Sequence, residues 1–266
     1  MFSTYNNQYL FPKNECMQLN IEWNGKSYKI DTENPIDLSI PLKSGDSNPN
    51  AFQIPHPVFE PIRVGDFVGS VAAGSSANCE NLLINAHGNG THTECIGHIT
   101  KERITINQSL KEFFFIAQLL SLNPKKLYDH QHGLLLEDAE SQINPQVQAI
   151  LLRSLPNGDE KKLKNYSGNV PHCIEPALAA HIADLGIEHL LVDLPSVDPE
   201  HDDGKMESHK AFWRPGDLSR LNCTITEMFY APNEIKDGIY LLNLQIAALE
   251  TDASPSKPIL YQLIES

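Results

Sequence analysis

A chain of 266 residues with 41% apolar side chains is long enough to bury one sizeable core and too apolar to remain disordered. Its formal charge of −14 excludes a phosphate backbone as partner, since the densest basic run, Lys161-Lys162-Leu163-Lys164, follows Asp159-Glu160 and reads as a solvated loop. The first twenty residues lack the basic start and apolar run of a signal peptide. The longest apolar stretch, Phe113 to Leu122, is interrupted by Gln118 and Ser121 and too short to span a bilayer. Five irregularly spaced cysteines make no disulfide framework, so a cytoplasmic protein with buried free thiols, bound to neither nucleic acid nor membrane, is expected.

In chain order, Met17 to Asp31 is predicted as a β-hairpin, because Asn24-Gly25 supplies the positive φ of a tight turn between two strand-like segments. Pro35 to Leu42 reads as a strand. Lys43 to Gly65, rich in Pro, Asn and Ser, is a long loop of the kind that is often functional, and it carries Phe52, His56 and Phe59. The short apolar run Asn81 to Ala86 reads as a buried strand. Ser109 is expected to cap one helical turn before a strand through Phe114 to Leu122, with another strand at Val147 to Leu152. Glu175 to Leu185 shows helical apolar spacing, with Pro176 suited to the first turn and Gly186 to the stop. A strand at His189–Leu194, a short helix at Lys205–Trp213, and strands at Cys223–Phe229, Gly238–Leu249 and Pro258–Leu263 complete a strand-rich α/β protein with few helices.

The chemistry is concentrated in His87-Gly88-Asn89-Gly90-Thr91-His92-Thr93-Glu94-Cys95-Ile96-Gly97-His98. Three of the eleven histidines fall in these twelve residues with a carboxylate among them, and imidazole plus carboxylate is a usual ligand set for divalent zinc, manganese or iron. In an extended backbone His92 and Glu94 project from the same side. Gly88 and Gly90 permit the tight turn of a metal loop. Isolated histidines such as His56, His130, His132, His181 and His189 are read as ordinary surface or core residues. Cys95 is a small buried thiol, a soft metal ligand or, paired with His92 or His98, a nucleophile whose thiol pKa would have to be lowered.

This segment resembles the signature of the cyclase, or kynurenine formamidase-like, hydrolase family, His-x-Gly-Thr-His-x-Asp-x-Pro-x-His. Gly90-Thr91-His92 and His98 match in register, whereas Glu94 stands where the family has Asp and Ile96 where it has Pro. The family's first histidine falls on Gly88, one residue after His87. Either a bulge brings His87 to the metal or the protein has one ligand fewer. The resemblance extends through Ile36-Asp37-Leu38-Ser39, Gly186-Ile187, Val192 to Pro199, His209, Glu227 and the segment from Gly238 onward. It covers residues 35–263, which makes 35–266 the hydrolase domain and 1–34 an extension with the hairpin.

The resemblance implies a swivelling β/β/α fold with a central barrel-like sheet, a metal site at one end of it, and a homo-oligomer. It also implies one or two divalent ions, Zn or Mn, held by His87, His92, Glu94, His209 and Glu227, with His98 as the acid/base. A bound cation lowers the pKa of water and polarises a carbonyl, the two things amide hydrolysis needs. An imidazole titrating near neutrality suits proton delivery to a leaving amine. The implied substrate is a small aromatic amide such as N-formylkynurenine, an intermediate of tryptophan catabolism. A cyclic amide such as isatin is the rival, and a metal-binding role without catalysis is the reading from another class. Phe52 and Phe59 either contact the aromatic substrate or pin their loop to the core. Asp193 and Asp198 either orient a ligand histidine or merely close a turn and a strand end.

Overall fold

The computed structural model describes residues 19–266. Met17 and Gln18 of the expected hairpin, the rest of the N-terminal extension before Leu19, and most of the segment read for a signal peptide lie outside the described residues. The chain runs β1 (Leu19–Trp23), β2 (Lys26–Ile30), β3 (Ile36–Asp37), β4 (Val58–Pro61), β5 (Arg63–Val64), β6 (Phe67–Val68), β7 (Glu80–Leu83), α1 (Ala86–Asn89), β8 (His92–Cys95), α2 (Ile106–Ser109) and β9 (Phe114–Leu122). It continues with β10 (Lys125–Tyr128), β11 (Gln131–Leu134), α3 (Leu136–Ala139), β12 (Ala149–Ser154), β13 (Cys173–Ile174), α4 (Pro176–Asp184), β14 (His189–Val192), α5 (Glu207–Trp213), β15 (Thr224–Glu227), β16 (Gly238–Ile246) and β17 (Ala253–Glu265).

Seven strands close on themselves in the order β8-β17-β16-β9-β12-β14-β15, with β15 returning to β8. This is the strand-rich, barrel-like sheet with few helices that the resemblance implies. Period-two alternation builds two cores from one set of strands. Phe115, Ala117 and Leu119 of β9 and Ala149 and Leu151 of β12 pack inside the barrel with Leu242, Leu244 and Leu260. The alternate residues Ile116, Leu120, Ile150 and Leu152 meet Leu178 and Ile182 of α4 and Phe212 and Trp213 of α5 on the outer face. No described helix is long and apolar enough to cross a membrane.

β17, at 13 residues, does three jobs. Its first residues pair with β8 and close the barrel, its middle pairs with β16 and β3, and its end takes β2 as a neighbour. The expected strand at Pro258–Leu263 is therefore extended at both ends. Pro255 and Pro258 interrupt the sequence pattern without interrupting the pairing, because proline removes only a donor.

Three expectations are corrected. The run Asn81–Ala86 is not a buried strand: β7 pairs only with β4 in an outlying two-stranded arm, leaving Leu82 60% and Leu83 67% exposed. The cap of α2 is Thr105, which shares a capping box with Gln108, while Ser109 is the last residue of that turn. Only Ile36 and Asp37 of Pro35–Leu42 join a strand, because beyond them the backbone turns to other partners: Leu38 N–H donates to Pro258 O and Ile40 N–H to the Thr91 hydroxyl. Elsewhere the hairpin turn has Asn24 and Gly25 at φ 52° and 73°, and α4 begins on Pro176 and stops at Gly186 with φ 76°.

Candidate metal centre

The site lies where β8, β15, the start of β17 and α5 meet. β8 is buried throughout, and its alternation sends Thr93 and Cys95 to one side and His92 and Glu94 to the other. The antiparallel register sets Glu227 opposite His92 and Ala253 opposite Glu94. α5 delivers His209 from above, with Trp213 packed beside its ring at 5.4 Å. His87 reaches the same place from the single helical turn of α1, so a helical turn rather than a strand bulge brings it in.

Hydrogen bonds determine which nitrogen each ring presents. The His92 Nδ1–H donates to the Gly90 carbonyl at 2.9 Å, leaving the Nε2 lone pair aimed at Glu227 Oε2, 3.3 Å away. The His209 Nδ1–H donates to Asp198 Oδ2 at 2.6 Å, and its Nε2 faces Glu94 Oε1 at 3.0 Å and Glu227 Oε1 at 3.9 Å. His87 Nδ1 lies 3.1 Å from Glu94 Oε2, and His98 Nε2 lies 3.9 Å from the same oxygen. Two buried acceptor atoms, His92 Nε2 and Glu94 Oε2, make no hydrogen bond at all. His92 Nε2, Glu94 Oε2 and Glu227 Oε2 thus converge on a volume whose only nearby donors are protons on the imidazole rings themselves, an arrangement that ring protons or a cation can satisfy. His87, His92 and Glu94 form one metal-sized group of ligand atoms, and Glu94, His98 and His209 another. The donor set of imidazole nitrogens and carboxylate oxygens fits a divalent ion.

The electrostatics agree. Burial opposes protonation of His87, but Asp252 and Glu94 outweigh it and raise its pKa to about 10. Burial likewise opposes charge on His209, and Asp198, Glu94 and Glu227 raise it to about 10. Burial works to raise Glu94, yet the surrounding His98, His209 and His87 hold its carboxyl well below the usual range. Without an ion the cluster is a set of carboxylates holding protonated imidazoles, and a divalent cation would displace those protons.

Asp198 accepts the His209 ring proton and also the N–H groups of Ser208 and His209, so it caps α5 and orients the ligand ring together. Asp193 touches none of the cluster: its carboxylate accepts from Ser154 N–H and Lys161 Nζ. Cys95 points to the far side of β8, fully buried, with burial pushing its thiol above its ordinary value, so it has neither the access nor the ionisation of a nucleophile. Phe52 and Ile54 line a cavity of about 340 Å³ that also exposes His87, Glu94, His98, His209 and Glu227. Phe59 sits in β4 opposite Leu82 and is not among the cavity's lining residues. One participant escaped sequence reasoning. Asp252, at the tip before β17, accepts from His87 Nε2 at 2.9 Å and His98 Nδ1 at 3.1 Å. Nothing in its local sequence marks it, because its partners are 165 and 154 residues away.

The family model of the cyclases ("Putative cyclase") matches residues 36–199. The chain belongs to this cyclase family. Among its relatives, the kynurenine formamidase of Bacillus cereus (strain ATCC 10987 / NRS 248) is 24% identical over 234 residues, covering 87% of this chain and 96% of the relative. That of Bacillus mycoides (strain KBAB4) is 29% identical over 194 residues, covering 70% and 80%. The isatin hydrolase A of Ralstonia solanacearum superposes with a TM-score of 0.61 at 12% identity, over 87% of this chain and 92% of that one. A structure described as a "potential metal-dependent hydrolase with cyclase activity" gives 0.60 at 15% identity, over 86% and 98%. At such identities the solved structures establish the cyclase-family fold alone.

Proposed function

We propose that this chain is a metal-dependent amidohydrolase acting on a small aryl formamide of the N-formylkynurenine kind. The observation that carries the reading is the convergence of His92 Nε2 and Glu94 Oε2, both buried and without a hydrogen-bond partner, beside a cavity with an apolar wall. The names of the sequence relatives support the substrate class. His92, Glu94, His209 and Glu227, with His87, would hold the ion, zinc or manganese by the chemistry of the donor set. A divalent cation in such a site supplies Lewis acidity, polarising a carbonyl and making water acidic enough to ionise near neutrality.

The chain's own residues account for the rest. Phe52 and Ile54 give an aromatic ring an apolar surface and keep bulk water from it. Asp198 and the Gly90 carbonyl lock the rings of His209 and His92 so that no reorientation is needed during reaction. Water adds to the formyl carbon, the C–N bond breaks, and the leaving nitrogen takes a proton. His98, partly exposed at the cavity wall, would accept on Nε2 the proton released by the water and pass it to the leaving nitrogen, while Asp252 holds its Nδ1–H. Four free cysteines among the described residues suit a reducing cytoplasm, and the exposed Leu82 and Leu83 of the outlying arm, with Val64 of β5, suit pairing with a second copy.

The test is elemental analysis of protein purified without added metal, combined with hydrolysis of an aryl formamide and of isatin, each with and without chelator. We expect about one or two ions per chain and turnover that the chelator abolishes. Full metal content with no hydrolysis of either substrate would reduce the protein to an ion binder. Preference for isatin would move the substrate class to cyclic amides.

A further inference from the structure

The tip of the β16–β17 hairpin brings one carboxylate oxygen, Asp252 Oδ2, between two rings of the site, at 2.9 Å from His87 Nε2 and 3.1 Å from His98 Nδ1. The two rings are stacked with centroids 4.3 Å apart, so one acceptor serves both. We infer that Asp252 is a positioning residue that fixes the tautomers of His87 and His98, making His87 present Nδ1 and His98 present Nε2 to the metal centre. The inference rests on the metal-centre reading above and deepens it.

The reasoning starts from the sequence departure at Gly88. A Cβ there would lie 2.6 Å from Ile54 Cδ1, 2.9 Å from Ile54 Cβ and 3.0 Å from the Ala51 carbonyl oxygen, so no histidine fits at the place where the family motif has one. The loop carrying Phe52 occupies that space and is tied down by Ala51 N–H donating to Gly88 O at 3.0 Å. His87, one residue earlier and on a helical turn, meets the site from a different direction. An imidazole arriving there has two nitrogens and no local reason to offer one of them. Asp252 supplies the reason, because a carboxylate accepts and does not donate: the nitrogen facing it must carry the proton, and the other is left as a lone pair. Nδ1 of His87 is the nitrogen facing Glu94, and Nε2 of His98 is the nitrogen facing the same carboxylate.

Asp252 is held for this task by its backbone. Its carbonyl accepts from Cys95 N–H at 3.0 Å, the neighbouring Thr251 carbonyl accepts from Ile106 N–H at 2.8 Å, and Ala253 pairs with Glu94. The side chain is 39% exposed, so replacing it leaves the core intact.

The experiment uses the full chain, zinc-loaded and ¹⁵N-labelled, with Asp252→Ala and Asp252→Asn variants. Zinc affinity is measured by competition with a chromophoric chelator, imidazole tautomers by long-range ¹H–¹⁵N correlation spectra, and folding by thermal unfolding. In the wild type we expect protonated Nε2 on His87 and protonated Nδ1 on His98. Asp252→Ala is expected to bind zinc about 10- to 100-fold more weakly, the usual consequence of removing a partner that orients a ligand, and to lose the single His98 tautomer. Asp252→Asn, whose amide oxygen can still accept from both rings, is expected to restore the tautomers and most of the affinity. A purely structural role would not produce that split. Wild-type affinity and tautomers in Asp252→Ala overturn the inference, as do equal losses in both variants or metal on His87 Nε2. A wild type that binds no zinc overturns the metal centre itself and this inference with it.

Discussion

Gly88→Ala is the substitution whose consequence is most directly worked out from the coordinates. The added Cβ meets Ile54 Cδ1 at 2.6 Å, Ile54 Cβ at 2.9 Å and Ala51 O at 3.0 Å. The end of the isoleucine can rotate, but it must retreat by about 1 Å to regain ordinary contact, and the other two atoms have less freedom. Ala51 O is backbone, in a residue whose N–H is bonded to the carbonyl of Gly88 itself, so the loop cannot slide without stretching that 3.0 Å bond. Overpacking of this kind costs about 1–3 kcal/mol, which for a chain of this size lowers Tm by roughly 2–10 °C. The loop also carries Phe52 over the cavity and is tied to α1 by Asn89 Nδ2 donating to Pro55 O. The loss should therefore appear in substrate binding as well: KM for an aryl formamide rises while zinc content stays near that of the wild type. Differential scanning calorimetry and steady-state kinetics measure the two arms. A variant with unchanged Tm and unchanged KM would refute the packing argument, because the loop would then have yielded at no cost.

Three further outcomes are expected. His98→Ala should keep its metal and lose about 10²- to 10⁴-fold in rate; parallel loss of metal by elemental analysis would make His98 a ligand instead. His189, buried against Phe115, has its pKa pushed down to about 3 by burial and by Arg220. The unfolded chain therefore takes up a proton below pH 6.5 that the folded one refuses, and stability falls by up to about 1.4 kcal/mol per pH unit between pH 6.5 and 3. Urea midpoints at pH 7 and 5 should show about 2 kcal/mol of this loss, reduced in His189→Gln, and parallel behaviour of the two proteins would rule it out. Lys161 is bound by Ser154, Asn157 and buried Asp193, so Lys161→Met leaves that carboxylate unpaired and should cost about 3–5 kcal/mol. The double variant with Asp193→Asn should recover much of it, and chemical denaturation distinguishes the two.

The cluster at His87–His98 was legible because its members are consecutive, and chemistry confined to twelve residues survives any fold. His209 and Glu227 were readable only through the family pattern, since 111 and 129 residues along the chain give no spacing to interpret (209 − 98 and 227 − 98). Asp252 was invisible for a physical reason: the β8–β17 pairing brings it to His87 and His98, and no local signal encodes that pairing. α1 was missed because four residues cannot show a 3.6 period. β7 was misplaced because Leu82-Leu83-Ile84 has the composition of a core strand, and composition cannot distinguish a barrel stave from an arm lying outside it.

The closure between β8 and β17 is a short seam. Three residue pairs hold it, one of them through Pro255, which has no amide hydrogen to give. Hydrogen bonds from Cys95 N–H to Asp252 O and from Ser256 N–H to Thr91 O lie along the same junction. The side chains beside it are His92, Glu94 and Asp252, so the site and the seam are built from the same few residues. On the reading proposed above, the ligands lie on α1, β8, α5 and β15, and the seam reaches them through Asp252, which holds the ring of His87; opening the seam would free that ring and loosen the ion. Amide hydrogens of Cys95 and Ser256 would then exchange with solvent at a rate set by metal concentration, while those deep in β9 and β12 exchange only on global unfolding. Breathing of the barrel and occupancy of the centre become one equilibrium seen by two probes.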